Sequence, residues 1–210
     1  MKKWNTLLCH SLLVSLLIAP LAAVADEDPH AKHRAMMKQK SDPVAESADI
    51  DLRDRQLIDQ NGQEVMFVTD VVGDNIVVMD FVYTTCTTIC PVLSALFRQV
   101  QEKLGADVGE EITLVSMSVD PIRDTPQRLK AYSAKHGAGD GWLWLTGQKT
   151  VVDDVLNGLG AYTTNFEDHP SMVLIGDGQT GEWKRLFGFP NPDRIVQVVN
   201  DMRERRKAGG

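Results

Sequence analysis

Cysteine is scarce in this chain, at three in 210 residues: Cys9, Cys86 and Cys90. So few exclude a small fold framed by disulfides. Basic charge is also short. Twenty-two Lys and Arg against 29 Asp and Glu leave a formal charge of −7, without the basic footprint of a nucleic-acid binder. There is no internal repeat and no low-complexity tract, which excludes an array or fibrous architecture. Uninterrupted apolar runs long enough to cross a bilayer are missing too. Leu7 to Ala25 comes nearest, but Cys9, His10 and Pro20 break it, and a spanning helix needs about 20 apolar residues.

What the N-terminus does have is the layout of a secretory signal. Lys2 and Lys3 precede the apolar run Leu12 to Ile18, and Ala23-Val24-Ala25 is a small-x-small cleavage pattern. Residues 1–25 are therefore expected to be a signal peptide, with a retained membrane anchor as the alternative. The expected location is the periplasm, free or held at the inner membrane facing it. Cys9 precedes the apolar run, which argues against a lipoprotein. Cleavage after Ala25 removes two lysines and no acid, and moves the charge from −7 to −9. Residues 26–49 are polar and short of large apolar side chains, as in a flexible tether. Within them His30, His33, Met36 and Met37 offer imidazole and thioether groups that suit copper. A polar tail that merely contains them explains the same residues.

Residues 50–205 read as one α/β domain and 206–210 as a tail. Gln56 to Asp59 and Glu64 to Thr69 flank Gln60-Asn61-Gly62, a strong hairpin turn signal. Asn75 to Val82 and Ile112 to Val119 are near-continuous apolar runs, expected to be buried central strands. Pro91 to Leu104 carries Val92, Leu93, Leu96, Phe97, Val100 and Leu104 at helical spacing. Asp124-Thr125-Pro126 starts a helix running to His136, with Asp124 as its cap. A strand at Trp142 to Leu145 and a helix at Val151 to Leu159 follow. Ser171 to Ile175 and Trp183 to Phe187 form a hairpin around Gly176 to Gly181, and Pro192 to Arg205 is the last helix. This is the order of a thioredoxin-like fold with an added N-terminal β-hairpin. The Arg203 to Lys207 cluster reads as a solvated helix end, where cations favour the dipole.

The chemistry concentrates in Cys86-Thr87-Thr88-Ile89-Cys90-Pro91, between a buried strand and a helix. Loss of Cys9 leaves these two thiols alone in an oxidising compartment. A structural disulfide across so short a loop restrains the unfolded chain by only about 2 kcal/mol, a small staple for a domain this long. Thiols at a helix start become thiolate more readily, and thiolate both binds metal and exchanges disulfides. Three residues separate the cysteines, where a thioredoxin-type catalyst has two. His169 precedes Pro170 and the strand from Ser171, in the loop that faces the cysteines in this fold and usually carries a cis-proline. Two thiolates and one imidazole suit Cu(I), or Cu(II) with one more ligand. They are too few for a structural zinc site. Asp120 and Asp168 are candidate acceptors orienting this region. Met79, Met117, Trp142, Trp144 and Trp183 are expected to pack in the core, and His136 to sit at a helix end.

With these residues in hand, the chain resembles the Sco/SenC family of copper chaperones. The resemblance covers residues 50 to 205. It rests on Cys86 to Pro91, Ser118-Val119-Asp120-Pro121 with Asp124-Thr125-Pro126, Leu145-Thr146-Gly147 and Asp168-His169. It implies copper, Cu(I) or Cu(II), on Cys86, Cys90 and His169. It also implies a role in assembling the copper centre of cytochrome c oxidase, with a copper-receiving oxidase subunit or another copper protein as partner. Thr87 and Pro170 depart from the family's usual residues at those positions without removing a ligand. Two alternatives stay open. One is a periplasmic thiol–disulfide oxidoreductase using Cys86 and Cys90 as its redox pair. The other is a peroxiredoxin-like enzyme, which requires an arginine against the reactive cysteine, with Arg123 as the candidate.

Overall fold

The structure is a computed structural model that describes residues 43–209. The signal at 1–25, most of the tether, and His30, His33, Met36 and Met37 lie outside the described residues. Strands β1 (Glu46–Ser47), β2 (Gln56–Ile58) and β3 (Glu64–Met66) come first, then β4 (Ile76–Val82), α1 (Ile89–Leu104), β5 (Ile112–Ser118) and α2 (Pro126–Lys135). They are followed by β6 (Trp142–Leu145), α3 (Lys149–Gly158), β7 (Met172–Asp177), β8 (Trp183–Phe187) and α4 (Pro192–Gly209). The main sheet has the order β1-β8-β7-β4-β5-β6, and β2 and β3 form a separate hairpin. β4, β5 and β6 run parallel, while β7 is antiparallel to β4 and to β8. This is the expected thioredoxin-like arrangement with its extra hairpin. It sets the ends of β4, β5 and β8, and the start of β7, on one edge.

Every residue of β4 and β5 is buried, as helices on both faces of a parallel sheet require. One face packs Val78, Val82 and Leu114 against Phe97 and Val100 of α1, Trp142, and Ile195, Val199 and Met202 of α4. The other packs Val77, Met79, Phe81 and Met117 against Leu57, Phe67, and Val152 and Leu156 of α3. In α1 the buried residues Cys90, Leu93, Ser94, Phe97, Val100 and Leu104 form one stripe; Val92, expected in it, faces solvent at 53%. Opposite Gly176 in the β7–β8 register lies Trp183. A Cβ at 176 would come within 2.4 Å of that indole, so only glycine lets it lie across the sheet.

Several boundaries differ from expectation, each for a tertiary reason. β1 lies inside the stretch read as tether and pairs with β8. The second hairpin strand stops at Met66, and Phe67–Val72 turns into a π-helical turn. Asp54 draws it in by accepting the Val68 and Thr69 N–H groups at 2.8 and 3.2 Å and the Thr69 hydroxyl at 2.6 Å. The last helix continues through the supposed tail to Gly209. Its basic end is neutralised within the domain: Arg203 pairs with Asp107 and Glu111, Arg205 with Glu182, and Arg206 with the buried Asp177. No helix among the described residues is long and apolar enough to cross a membrane.

Candidate metal centre

β4 delivers the chain to the cysteine loop at Tyr83. Thr84 is fastened there by Asp124, which is fully buried. The Asp124 carboxylate accepts the Thr84 N–H at 3.1 Å, the Thr84 hydroxyl at 2.6 Å and the Ser118 hydroxyl at 2.7 Å. The cap of α2 is Thr125, whose hydroxyl accepts the Arg128 N–H at 3.3 Å. The expectation of Asp124 as that cap is therefore corrected: it ties the end of β5 to the cysteine loop. Cys86 lies just ahead of α1 and Cys90 in its first turn, both as free thiols. Pro91 follows within that turn, where its missing N–H costs nothing.

The two thiols differ sharply. Cys86 is 7% exposed and Cys90 fully buried. The Cys90 N–H donates to Cys86 Sγ at 3.3 Å. Burial pushes the Cys86 thiol up, but hydrogen bonds from Cys90, Thr88 and Tyr83 outweigh it and bring the pKa down to about 7. The backbone N–H groups of Thr88 and Cys90 among these belong to a helix start, which favours a thiolate. Burial pushes the Cys90 thiol well above its ordinary value, and its contact with Cys86 adds to the rise. Burial also lifts the Tyr83 phenol to about 12, with Cys86 acting in the same direction. Asp80 of β4 is completely buried and held up at about 7 by desolvation, against the pull of the Ser116 hydroxyl. That hydroxyl donates to Asp80 Oδ1 at 2.6 Å, and Oδ2 has no hydrogen-bond partner.

His169 comes from the neighbouring loop, after the turn Phe166–Asp168. Its Nδ1 lies 2.7 Å from the Phe166 carbonyl oxygen and its Nε2 3.2 Å from that of Phe81. Carbonyls only accept, and a neutral imidazole has one N–H. Only one of the two contacts can therefore be a hydrogen bond from a neutral ring, and an N–H on Nδ1, at the shorter contact, would leave the Nε2 lone pair facing an oxygen that cannot donate to it. The ring packs edge-on to Tyr83 at 5.9 Å, and Tyr83 packs edge-on to Phe166 at 5.0 Å. Tyr83 is thus the shared neighbour of Cys86 and His169.

The structure brings Cys86 and Cys90 together and sets His169 on the adjoining loop, with both ring nitrogens on backbone carbonyls. Among the described residues no cluster of three or more His, Cys, Asp and Glu is gathered to grip an ion. Asp120 bonds Arg123 Nη1 at 2.9 Å, and Asp168 accepts from Asn165 at 3.1 Å; neither bonds the imidazole. Arg123 lies over the Phe166 ring at 5.4 Å, directed to that ring and to Asp120. No bond joins it to Cys86 of the kind a peroxiredoxin-like site needs. No described peptide bond is cis. Met79, Met117, Trp142, Trp144 and Trp183 are buried, and His136 caps α2. Sequence reasoning missed Tyr83, Phe166 and Asp80; only Asp80 left a signal, as an acid inside an apolar strand.

Comparison with known proteins decides the family. The SCO1/SenC family profile matches residues 46–203. This chain belongs to the SCO1/SenC family. A Stutzerimonas stutzeri protein named for copper binding is 34% identical over 105 residues, 50% of each chain. The SCO1 protein homolog of Bacillus subtilis is 34% identical over 130 residues, 57% of this chain and 67% of that one. Among solved structures, BsSco is a Sco-family cytochrome c oxidase assembly protein in which a disulfide switch has been identified. It superposes with a TM-score of 0.63 at 25% identity, covering 75% of this chain and 96% of its own. The copper-bound ScoI of Arabidopsis thaliana gives 0.60 at 20% identity over 78% and 99%, which establishes a shared SCO1/SenC fold.

Proposed function

We propose that this SCO1/SenC protein is a periplasmic copper-binding chaperone that carries copper on Cys86, Cys90 and His169. Its cargo goes to the copper centre of cytochrome c oxidase, through an oxidase subunit or another copper protein. The observation that carries this is the pair of unlike thiols at the start of α1, sharing Tyr83 with His169. The donor set fits: thiolate and imidazole together suit copper. Cys86 is poised as thiolate, and metal binding ionises Cys90 as it does any coordinating thiol. His169 contributes Nε2, whose lone pair gains a partner when the ring turns from the Phe81 carbonyl.

Anaerobic titration of the reduced protein with Cu(I) and Cu(II), followed by absorption and EPR, tests the reading. Saturation at about one copper is expected, with a thiolate-to-Cu(II) band lost in Cys86→Ser and in Cys90→Ser. Tight binding that survives both substitutions overturns it. A second reading, thiol–disulfide exchange with a partner's cysteines, is favoured by one observation: the near-surface Cys86 thiol at about 7 beside a buried Cys90. No tight copper binding in the titration selects that reading.

A further inference from the structure

We propose that Arg123 is a positioning residue for His169, acting through the Phe166 ring and carbonyl. This rests on the reading of His169 as a copper ligand. Asp120 is 3% exposed, and its carboxylate accepts Arg123 Nη1–H at 2.9 Å, which fixes the guanidinium. The guanidinium then stands over Phe166, 5.4 Å from the ring centroid, a cation–π contact. The edge of Tyr83 meets the same ring at 5.0 Å. Phe166 touches both neighbours, and its carbonyl oxygen lies 2.7 Å from Nδ1 of His169. A proton fixed on Nδ1 leaves Nε2 as the donor nitrogen, which is how partners of a ligating histidine set its tautomer and aim.

The ion pair joins a half-exposed guanidinium to a buried carboxylate. Its position makes it more than that. The segment Asp120 to Asp124 touches both loops of the site: Asp124 holds Thr84 at 2.6 Å, and Arg123 holds Phe166. One short stretch after β5 thereby registers the histidine loop against the cysteine loop.

The test compares Arg123→Ala and Arg123→Lys, each alone and with His169→Ala. Three quantities are read: nitrogen NMR shifts of the His169 ring in metal-free protein, Cu(II) affinity by chelator competition, and the thermal midpoint. Arg123→Ala is expected to shift the ring toward a mixture of tautomers. It should weaken Cu(II) by about tenfold, the low end for groups orienting a ligating histidine, and lower the midpoint, because the buried Asp120 carboxylate loses its cation. Arg123→Lys keeps the cation and is expected to recover part of each. On the His169→Ala background, Arg123→Ala should cause no further loss. Unchanged ring shifts and affinity in Arg123→Ala overturn the proposal, as does an equal copper loss on the His169→Ala background. If His169→Ala alone leaves copper affinity intact, the ligand reading falls; ring shifts that still move in Arg123→Ala then support the positioning contact by itself.

Discussion

The cysteine loop is fastened by a buried carboxylate, whereas the histidine loop beside it is fastened by rings and carbonyls. The buried Asp124 gathers three donors from Thr84 and Ser118, and bonds to a charged group contribute about 1.5–3 kcal/mol each. His169 rests on aromatic edges and two backbone oxygens, and aromatic pairs contribute only about 0.5–1.5 kcal/mol. The same site therefore has a fixed half and an adjustable half. The thiols follow the buried carboxylate, and the imidazole follows aromatic rings and backbone oxygens.

Breaking the fixed half gives the largest effect. Asp124→Ala strands the buried Ser118 hydroxyl and the half-buried Thr84 N–H and hydroxyl, and should cost about 3–5 kcal/mol in urea unfolding, since each unsatisfied group costs about 1–3 kcal/mol. A loss under about 1 kcal/mol would show that the loop is held otherwise. Beneath the same loop, Asp80 has a folded pKa raised to about 7 by burial. A raised value means stability is intact below the unfolded pKa and falls as pH rises from about 4 through about 7. Asp80→Asn should remove that fall. It should match the parent at pH 4 and exceed it by about 2–4 kcal/mol at pH 8, and parallel pH–stability curves would refute it.

The adjustable half responds differently. His169→Ala should change stability by about 0.5–1.5 kcal/mol yet weaken copper by more than the roughly 10–100-fold lost with a group that only orients a ligand, while disulfide exchange continues. Measuring both on one preparation separates ligand loss from unfolding. The smallest effect is kinetic. Short iodoacetamide pulses read by mass spectrometry should label Cys86 with a midpoint near pH 7, and Cys90 much more slowly. A Cys86 midpoint near 9 would mean the helix-start N–H groups do not stabilise its thiolate.

Much of this was legible in the chain because it is written locally. The apolar runs at Ile76 to Val82 and Ile112 to Ser118 admit only buried strands, and a cysteine pair ahead of Pro91 marks a helix start. An acid before Thr125-Pro126 matches a cap pattern, while the true partner of Asp124, Thr84, is 40 positions away. β1 looks like tether in the sequence because two residues carry no alternation to recognise. The carbonyl partners of His169 were hidden for the same reason: Phe81 lies 88 positions upstream, and a backbone oxygen leaves no mark in a sequence.

β1 has a consequence for solution behaviour. Glu46 and Ser47 pair with Arg185 and Lys184, and the Ala48 N–H reaches the Trp183 carbonyl at 2.9 Å. These bonds occupy the outer rim of β8, which would otherwise offer a row of unpaired amides and carbonyls to any passing strand. A form of the protein trimmed to Asp49 would keep its helices and its thiols and lose its guard against self-association, so its monomer fraction should fall with concentration while its copper chemistry stays unchanged.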